Sequence, residues 1–475
     1  MVPAIANKLL MGVYFSPRGG SAHVCRAIAR EFEQNDFEVN LVSGSRSDLG
    51  ELALATSFYS GLDVRPVDFT PALRSPDAIR HSGPAGTAPM HGSYEDRPEA
   101  EDPVLAAIDD DAYELQVAAW TRELRLAGAE ESDLLYLHHL TPLNEAAARA
   151  FPGLRVLGHI HGTELAMLER IDAGAPEGWT HAEAWAERMR GWATRCERIV
   201  VSNPDGLARG AAALDLDPER FVCAPNGFGR NFSPARIDRR SHWRRHLVED
   251  PRGWRPGSPQ GAIAYEEADL DALDGTVLLY VGRFTEVKRL PLLIEAFARA
   301  RPRFREGAAL VLVGGHPGEW EGEHPIETVE RLDCPDVFLA GWHSHDDLPD
   351  FLRAADLLVH ASVHEQFGQV LVEAMACERP AIAVDRGGPS AIVDDPDTGW
   401  LVPPDDAGAL AEAMVEAVND PDGRRLRGQR ARGEVVGRYS WQQIGLELAA
   451  VASLACSRDR LDSEPELQRH RPRSL

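Results

Sequence analysis

Two carboxylates, Glu365 and Glu373, lie eight positions apart in the run His364-Glu365-Gln366-Phe367-Gly368-Gln369-Val370-Leu371-Val372-Glu373-Ala374-Met375-Ala376. The helix predicted over the second half of this run is apolar on almost every face, which marks it as buried. An ionisable group in its middle needs a partner. Glu365 falls in the loop before the helix and Glu373 two turns into it, so both can face a ligand at the helix N-terminus. The alternative is that Glu373 reaches solvent or an arginine, as structural ion pairs do.

A second chemistry-bearing group follows the apolar run Val277-Leu278-Leu279-Tyr280-Val281. It reads Gly282-Arg283-Phe284-Thr285-Glu286-Val287-Lys288-Arg289, and a helix is predicted over about Leu290 to Ala300. Arg283 and Lys288 therefore stand between the carboxyl end of a strand and the start of a helix, where a diphosphate would gain charge-assisted hydrogen bonds and the helix dipole. Solvated loop cations are the alternative for either one alone. Lys8 and Lys288 are the only lysines among 50 basic residues, so Lys288 resists the arginine habit of the chain. The Gly-x4-Gly-Lys loop of nucleoside triphosphatases is absent. Two further apolar runs end in glycine turns, at Gly314-Gly315-His316 and Gly341-Trp342-His343.

Earlier in the chain, Met11 to Phe15 leads into Ser16-Pro17-Arg18-Gly19-Gly20-Ser21. A glycine pair there lets backbone approach a ligand closely, and a tight turn explains it equally well. His159-Ile160-His161-Gly162-Thr163-Glu164 ends another apolar run, so His161 stands where a parallel sheet delivers side chains to a ligand; a satisfied structural histidine is the alternative. Pro225-Asn226-Gly227 reads as an Asn-Gly turn or as a cleft asparagine. His138 and His139 read as ordinary core or loop histidines.

The elements that must hold these groups alternate strand and helix. In the first half the strands are Leu9 to Phe15, Glu38 to Val42, Leu134 to His138, Val156 to His161, Ile199 to Ser202 and Phe221 to Cys223, with a helix over Ala22 to Phe32. After a break at about 230–275, interrupted by Pro234, Pro251, Pro256 and Pro259, alternation restarts with Val277 to Val281, Leu310 to Val313, Val337 to Leu339, Leu357 to His360 and Ala381 to Val384. This pattern predicts an α/β protein of two doubly wound, Rossmann-like domains. Such domains bind ligands at the carboxyl ends of their strands, here in a central cleft. The expected divisions are an N-terminal domain over 1–230, a linker over 231–275, a C-terminal domain over 276–437, a helix over about 438–456 crossing back to the first domain, and a polar tail over 457–475. Residues 66–111, rich in Pro, Gly, Asp and Ser, are expected to form a long loop excursion suited to substrate selection.

In combination, Gly282-Arg283 with Lys288 and Glu365-Gln366-Phe367-Gly368 with Glu373 resemble the motifs of the GT-B retaining glycosyltransferases of family 4 type, the glycosyl transferases group 1. The resemblance covers the chain apart from the excursion and the linker. It implies a nucleotide-sugar donor whose diphosphate is held by Arg283 and Lys288. It also implies that Glu373 meets the ribose hydroxyls, Glu365 faces the donor sugar, and the backbone amides of Phe367, Gly368 and Gln369 meet sugar hydroxyls or phosphate. His161 would orient the sugar, Gly20 would lie over the diphosphate, and the Gly341–His343 turn would neighbour the base. His161, Arg283, Lys288 and Glu365 are thus the expected catalytic residues. Retention without an evident nucleophile implies front-face attack, with the leaving phosphate taking the acceptor proton. No metal and no other cofactor is expected, since the two cations can neutralise the diphosphate. The acceptor is an unidentified hydroxyl or amine.

Composition narrows the partners. With 475 residues, 44% hydrophobic and 26% charged, the chain reads as an ordinary globular protein of two or three domains. A formal charge of −25 disfavours nucleic acid, and the Arg239-to-Arg245 cluster reads as a solvated linker helix. Six scattered cysteines without a CxxC pair suggest neither zinc nor disulfides. With no apolar run long enough to span a bilayer and no leader-like start, a cytoplasmic enzyme is expected; oligomeric state is open. The rival readings are a nucleotide-sugar isomerase or epimerase, a phosphorylase, for which neither lysine is suitably placed, and a non-catalytic sugar-nucleotide binder.

Overall fold

The computed structural model describes residues 7–17, 19–96, 101–365 and 367–462. Arg18 of the glycine loop, Arg97 of the excursion, Gln366 and residues 463–475 of the tail lie outside the described residues. The chain divides into two compact units, Met1–Pro225 with Trp441–Leu475, and Asn226–Ser440.

Unit 1 is built on a seven-stranded sheet in the order β3-β2-β1-β4-β5-β6-β7. Its strands are β1 (Asn7–Val13), β2 (Phe37–Ser45), β3 (Asp63–Asp68), β4 (Leu134–His138), β5 (Val156–His159), β6 (Arg198–Val201) and β7 (Phe221–Cys223), and every pair is parallel. A parallel sheet is covered on both faces, so its central strands read as unbroken apolar runs; β4 is buried along its whole length. Helix α1 (Gly20–Gln34) follows β1, α2 (Asp110–Leu126) precedes β4, and α3 (Thr163–Asp172) follows β5. The strand order turns back between β1 and β4, which makes the loops after those strands the natural ligand position.

The excursion is not a projecting loop. Its first residues belong to the edge strand β3, and Val67, Phe69, Met90, Tyr94, Val104 and Leu105 are buried in the core of unit 1. Anchoring by irregularly spaced apolar residues leaves no period to read, which is why composition alone pointed to a loop. Tyr94 donates its hydroxyl to the Leu140 carbonyl at 2.6 Å, and Asp96 accepts from the Trp179 indole at 3.3 Å.

Unit 2 carries a six-stranded sheet in the order β10-β9-β8-β11-β12-β13. The strands are β8 (Thr276–Val281), β9 (Ala308–Val313), β10 (Val337–Gly341), β11 (Leu357–His360), β12 (Ala381–Val384) and β13 (Gly399–Val402), again all parallel. Its switch point lies between β8 and β11, the two strands whose loops carry Arg283, Lys288 and Glu365. Helix α4 (Leu290–Ala300) follows β8, and the short helix α5 (Gln369–Ala376) follows β11.

Residues 231–275 are part of unit 2 rather than a linker. Trp243, Leu247, Leu270 and Leu273 sit in one of its cores and Trp254 and Ile263 in the other. The prolines set the path of this segment, and its indoles supply the burial that holds it down. Arg240 and Arg244 are tied to Glu267. The last helix, α6 (Trp441–Asp462), runs beyond its expected end and belongs to unit 1. It packs closely on α1: a Cβ on Gly445 would lie 2.3 Å from the Glu31 Cβ.

Candidate functional site

The β8 and β11 loops of unit 2 are tied together. The Val363 amide donates to the Val287 carbonyl at 3.0 Å, and Lys288 Nζ is ion-paired with Glu365 Oε2. His360, the last residue of β11, stands 3.4 Å from the same carboxylate oxygen. Burial alone would push the Glu365 carboxyl up, but His360 and Lys288 together outweigh it and lower its pKa to about 2. Arg283 is exposed, and its guanidinium has no ion pair or hydrogen bond among the described residues. Its charge and that of Glu365 act in opposite directions on the buried Tyr280 hydroxyl, which puts both groups near one residue. That hydroxyl donates to the Arg283 carbonyl at 2.7 Å and so holds the loop. A paired lysine beside an unpaired arginine, at a switch point, can receive an anion.

Glu373 is buried in α5, 2% exposed. Its partner is a histidine: His345 Nε2 lies 2.7 Å from Oε1, and Gln369 Nε2 donates to the same oxygen at 3.1 Å. Gln369 also donates to the Gly227 carbonyl, which brings the Asn226-Gly227 turn against α5. Gly368 starts the helix with φ +97°, a left-handed conformation that favours glycine. Gly368, at the N-cap of α5, offers no side chain to cap it. Phe367 is buried, against Tyr439. His343 closes the turn that the resemblance puts beside the base. It is buried against His246 and Phe351, and burial lowers its pKa to about 4.

In unit 1, Gly20 opens α1 and a Cβ there would meet nothing within 4 Å, while the preceding Gly19 has φ −113°. Neither glycine has the positive φ that would demand glycine. His161 lies just beyond β5 in a row of imidazoles. Its ring stacks on His159 at a centroid distance of 4.4 Å, and His138 Nδ1 lies 3.0 Å from His161 Nε2. Burial, and then the neighbouring rings, hold His138, His159 and His161 well below the ordinary imidazole pKa. Next to them the buried Glu164 carboxylate pairs with His139 Nδ1 at 2.5 Å and accepts from the His161 amide at 3.1 Å.

Residues 266–434 match the family model of glycosyl transferases group 1. The N-acetyl-alpha-D-glucosaminyl L-malate synthase of Bacillus anthracis is 31% identical over 337 residues, covering 70% of this chain and 77% of that protein. The chain belongs to the group 1 glycosyltransferases, the family 4 type. It is also 30% identical over 178 residues to the alpha-D-kanosaminyltransferase of Streptomyces kanamyceticus, where the match covers 38% of this chain and 45% of that one. The chain thus spans about half the length of the first curated relatives it matches. Among solved structures, Anabaena Alr3699/HepE in complex with UDP and glucose superposes with a TM-score of 0.66 at 18% identity, covering 94% of this chain and 99% of that one. Sucrose-phosphate synthase from Thermosynechococcus elongatus gives 0.63 at 19%, covering 95% and 100%. Both share the GT-B fold, with its two Rossmann-like sheets.

For this glycosyltransferase family member, Arg283, Lys288, Glu365, Phe367, Gly368, Gln369 and Glu373 lie in unit 2, and Gly20 and His161 lie in unit 1. Within unit 2 the structure joins Lys288 to Glu365, and Gln369 to Glu373. Sequence reading missed His345 and His360 as the carboxylates' partners. His360 could have been found, since it ends the strand that leads into the Glu365 loop. His345 comes from 28 positions before Glu373, a separation without a helical or strand period.

Proposed function

We propose that this chain transfers a glycosyl group from a nucleotide-sugar donor to a hydroxyl or amine acceptor, with the anomeric configuration retained. The observation that carries the reading is the convergence of Arg283, Lys288 and Glu365 on the β8/β11 switch point of unit 2, with Glu373 in the adjoining helix. An open sheet binds ligands at that position. A diphosphate there draws the Lys288 ammonium from Glu365 and engages the Arg283 guanidinium. Stabilising the charge on a leaving diphosphate in this way supplies on the order of several kcal/mol. Glu373, oriented by His345 and Gln369, accepts from the ribose hydroxyls, and the α5 N-terminus offers the backbone amides of Gly368 and Gln369 to sugar or phosphate. Glu365, released from Lys288, accepts from a hydroxyl of the donor sugar. In unit 1 the reading gives His161 to orienting the sugar and Gly20 to backbone approach.

With two cations on the diphosphate, this reading needs no metal for transfer. The similar Anabaena protein is described with UDP and glucose, which makes UDP-sugars the first donors to try. No helix among the described residues is long and apolar enough to cross a membrane. The six cysteines are free thiols and five are buried, which supports a reducing, cytoplasmic setting.

The test is incubation with UDP-, GDP- and ADP-sugars and a panel of hydroxyl and amine acceptors, read by mass spectrometry and by the anomeric proton coupling of the product. A glycoside with the donor's configuration is expected. Inverted product would overturn retention. Acceptor-independent conversion of the nucleotide sugar to an isomer would replace the transferase reading with an epimerase.

A further inference from the structure

Three histidines of unit 1 come together from two neighbouring strands. His138 ends β4 and His159 ends β5, and the two are direct partners in the parallel register. His161 follows His159 by two positions, the spacing that returns a side chain to the same face of an extended segment. One nitrogen from each ring can be chosen so that all three lie within 4.8 Å of one another. From these positions we infer a binding site for a divalent first-row transition metal ion, zinc above all, held by His138, His159 and His161.

The donor atoms follow from what each ring already does. His159 Nδ1 meets the Tyr136 hydroxyl at 3.0 Å, while its Nε2 is buried without a partner. Tyr136 thereby orients the ring and leaves Nε2 to the ion. His138 Nδ1 and His161 Nε2 share a hydrogen bond at 3.0 Å, which capture of the ion breaks with release of its proton, and His138 Nε2, like that of His159, is buried without a partner. The His138 and His161 rings lie within 15° of parallel, and those of His159 and His161 within 11°. Capture of the ion therefore turns the rings from stacked to convergent. His161 is the least buried of the three, whereas His138 and His159 are buried.

An all-imidazole set excludes magnesium and calcium, which take oxygen ligands, and suits zinc, copper or nickel. The Glu164 carboxylate, bonded to the His161 amide and to His139, offsets part of the ion's charge. Three protein ligands leave a fourth position for water or an incoming oxygen, the open form of a zinc site. The ion is assigned no part in glycosyl transfer; His161 is shared with the donor reading, which is why the site is tested without nucleotide and through His138, His159 and Tyr136 rather than through His161.

The test is titration of the metal-free full-length chain, without nucleotide, with Zn2+ by calorimetry and with Co2+ by visible absorption. Uptake of a single Zn2+ and an intense four-coordinate Co2+ band are expected, with no uptake of Mg2+. His159→Gln and His138→Gln abolish binding, and His316→Gln, an exposed histidine of unit 2, leaves it intact. Because the two strand histidines are buried, Tyr136→Phe provides the gentler variant and weakens binding by about 10- to 100-fold. No saturable uptake, a weak six-coordinate Co2+ spectrum, or binding unchanged in folded His159→Gln and Tyr136→Phe proteins would overturn the site.

Discussion

Replacing Lys288 by methionine keeps the length of the side chain and removes its charge. In the free protein it strips Glu365 of its ion pair, leaving His360 at 3.4 Å and the burial that opposes ionisation. The Glu365 carboxyl, 22% exposed, has its pKa lowered from the ordinary 4.5 to about 2. At roughly 1.4 kcal/mol per pH unit that lowering is worth about 3 kcal/mol of folding stability at neutral pH. Because the folded value lies below the unfolded one, the contribution is fully present above about pH 4.5 and is lost as the pH falls toward 2. His360 is the first cause of that lowering and Lys288 the second, so Lys288→Met costs a part of it, on the order of 1–2 kcal/mol at pH 7 and less than half of that at pH 3. Urea denaturation of both proteins at the two pH values measures it. An equal cost at pH 7 and pH 3, or none at pH 7, would refute the Lys288–Glu365 coupling. The same variant loses a charge-assisted contact to phosphate worth about 1.5–3 kcal/mol, so nucleoside diphosphate binds at least tenfold more weakly.

Arg283→Ala separates binding from folding. The side chain is exposed and without a partner among the described residues, so the urea midpoint moves by no more than about 0.5 kcal/mol while affinity for a nucleoside diphosphate falls at least tenfold; unchanged affinity by calorimetry contradicts the role. Gly20→Ala meets open space and leaves stability unchanged or higher by about 0.4–1 kcal/mol, yet it is expected to slow transfer; a variant with full activity removes Gly20 from the site. Trp243→Ala tests the packing of 231–275: a buried indole lost from a core costs about 3–5 kcal/mol, and a thermal unfolding curve like that of wild type would return the segment to linker status.

The central strands of both sheets were legible because each is a short apolar run bounded by polar or glycine residues; β4, β11 and β12 begin and end where the apolar pattern does. The edges were not. β3 reads Asp-Val-Arg-Pro-Val-Asp and is mostly half-exposed, and its Pro66 is tolerated because the strand lies at the end of the sheet. β13, at the other sheet's edge, is four residues long. The site motifs were legible as residue types at strand ends, and the demand that a buried Glu373 have a partner held. The identity of that partner was not, since His345 reaches Glu373 across separate elements. The histidine row was hidden for the same reason: His138 and His159 become neighbours through strand order, which no local pattern encodes.

The most direct test of the account is calorimetric titration of a UDP-, GDP- and ADP-sugar panel into wild type, Lys288→Ala and Glu373→Gln. Binding of at least one nucleotide sugar by wild type, lost or weakened at least tenfold in both folded variants, is the predicted result. Failure of every nucleotide sugar to bind wild type, or equal binding by all three proteins, would contradict the donor site in unit 2.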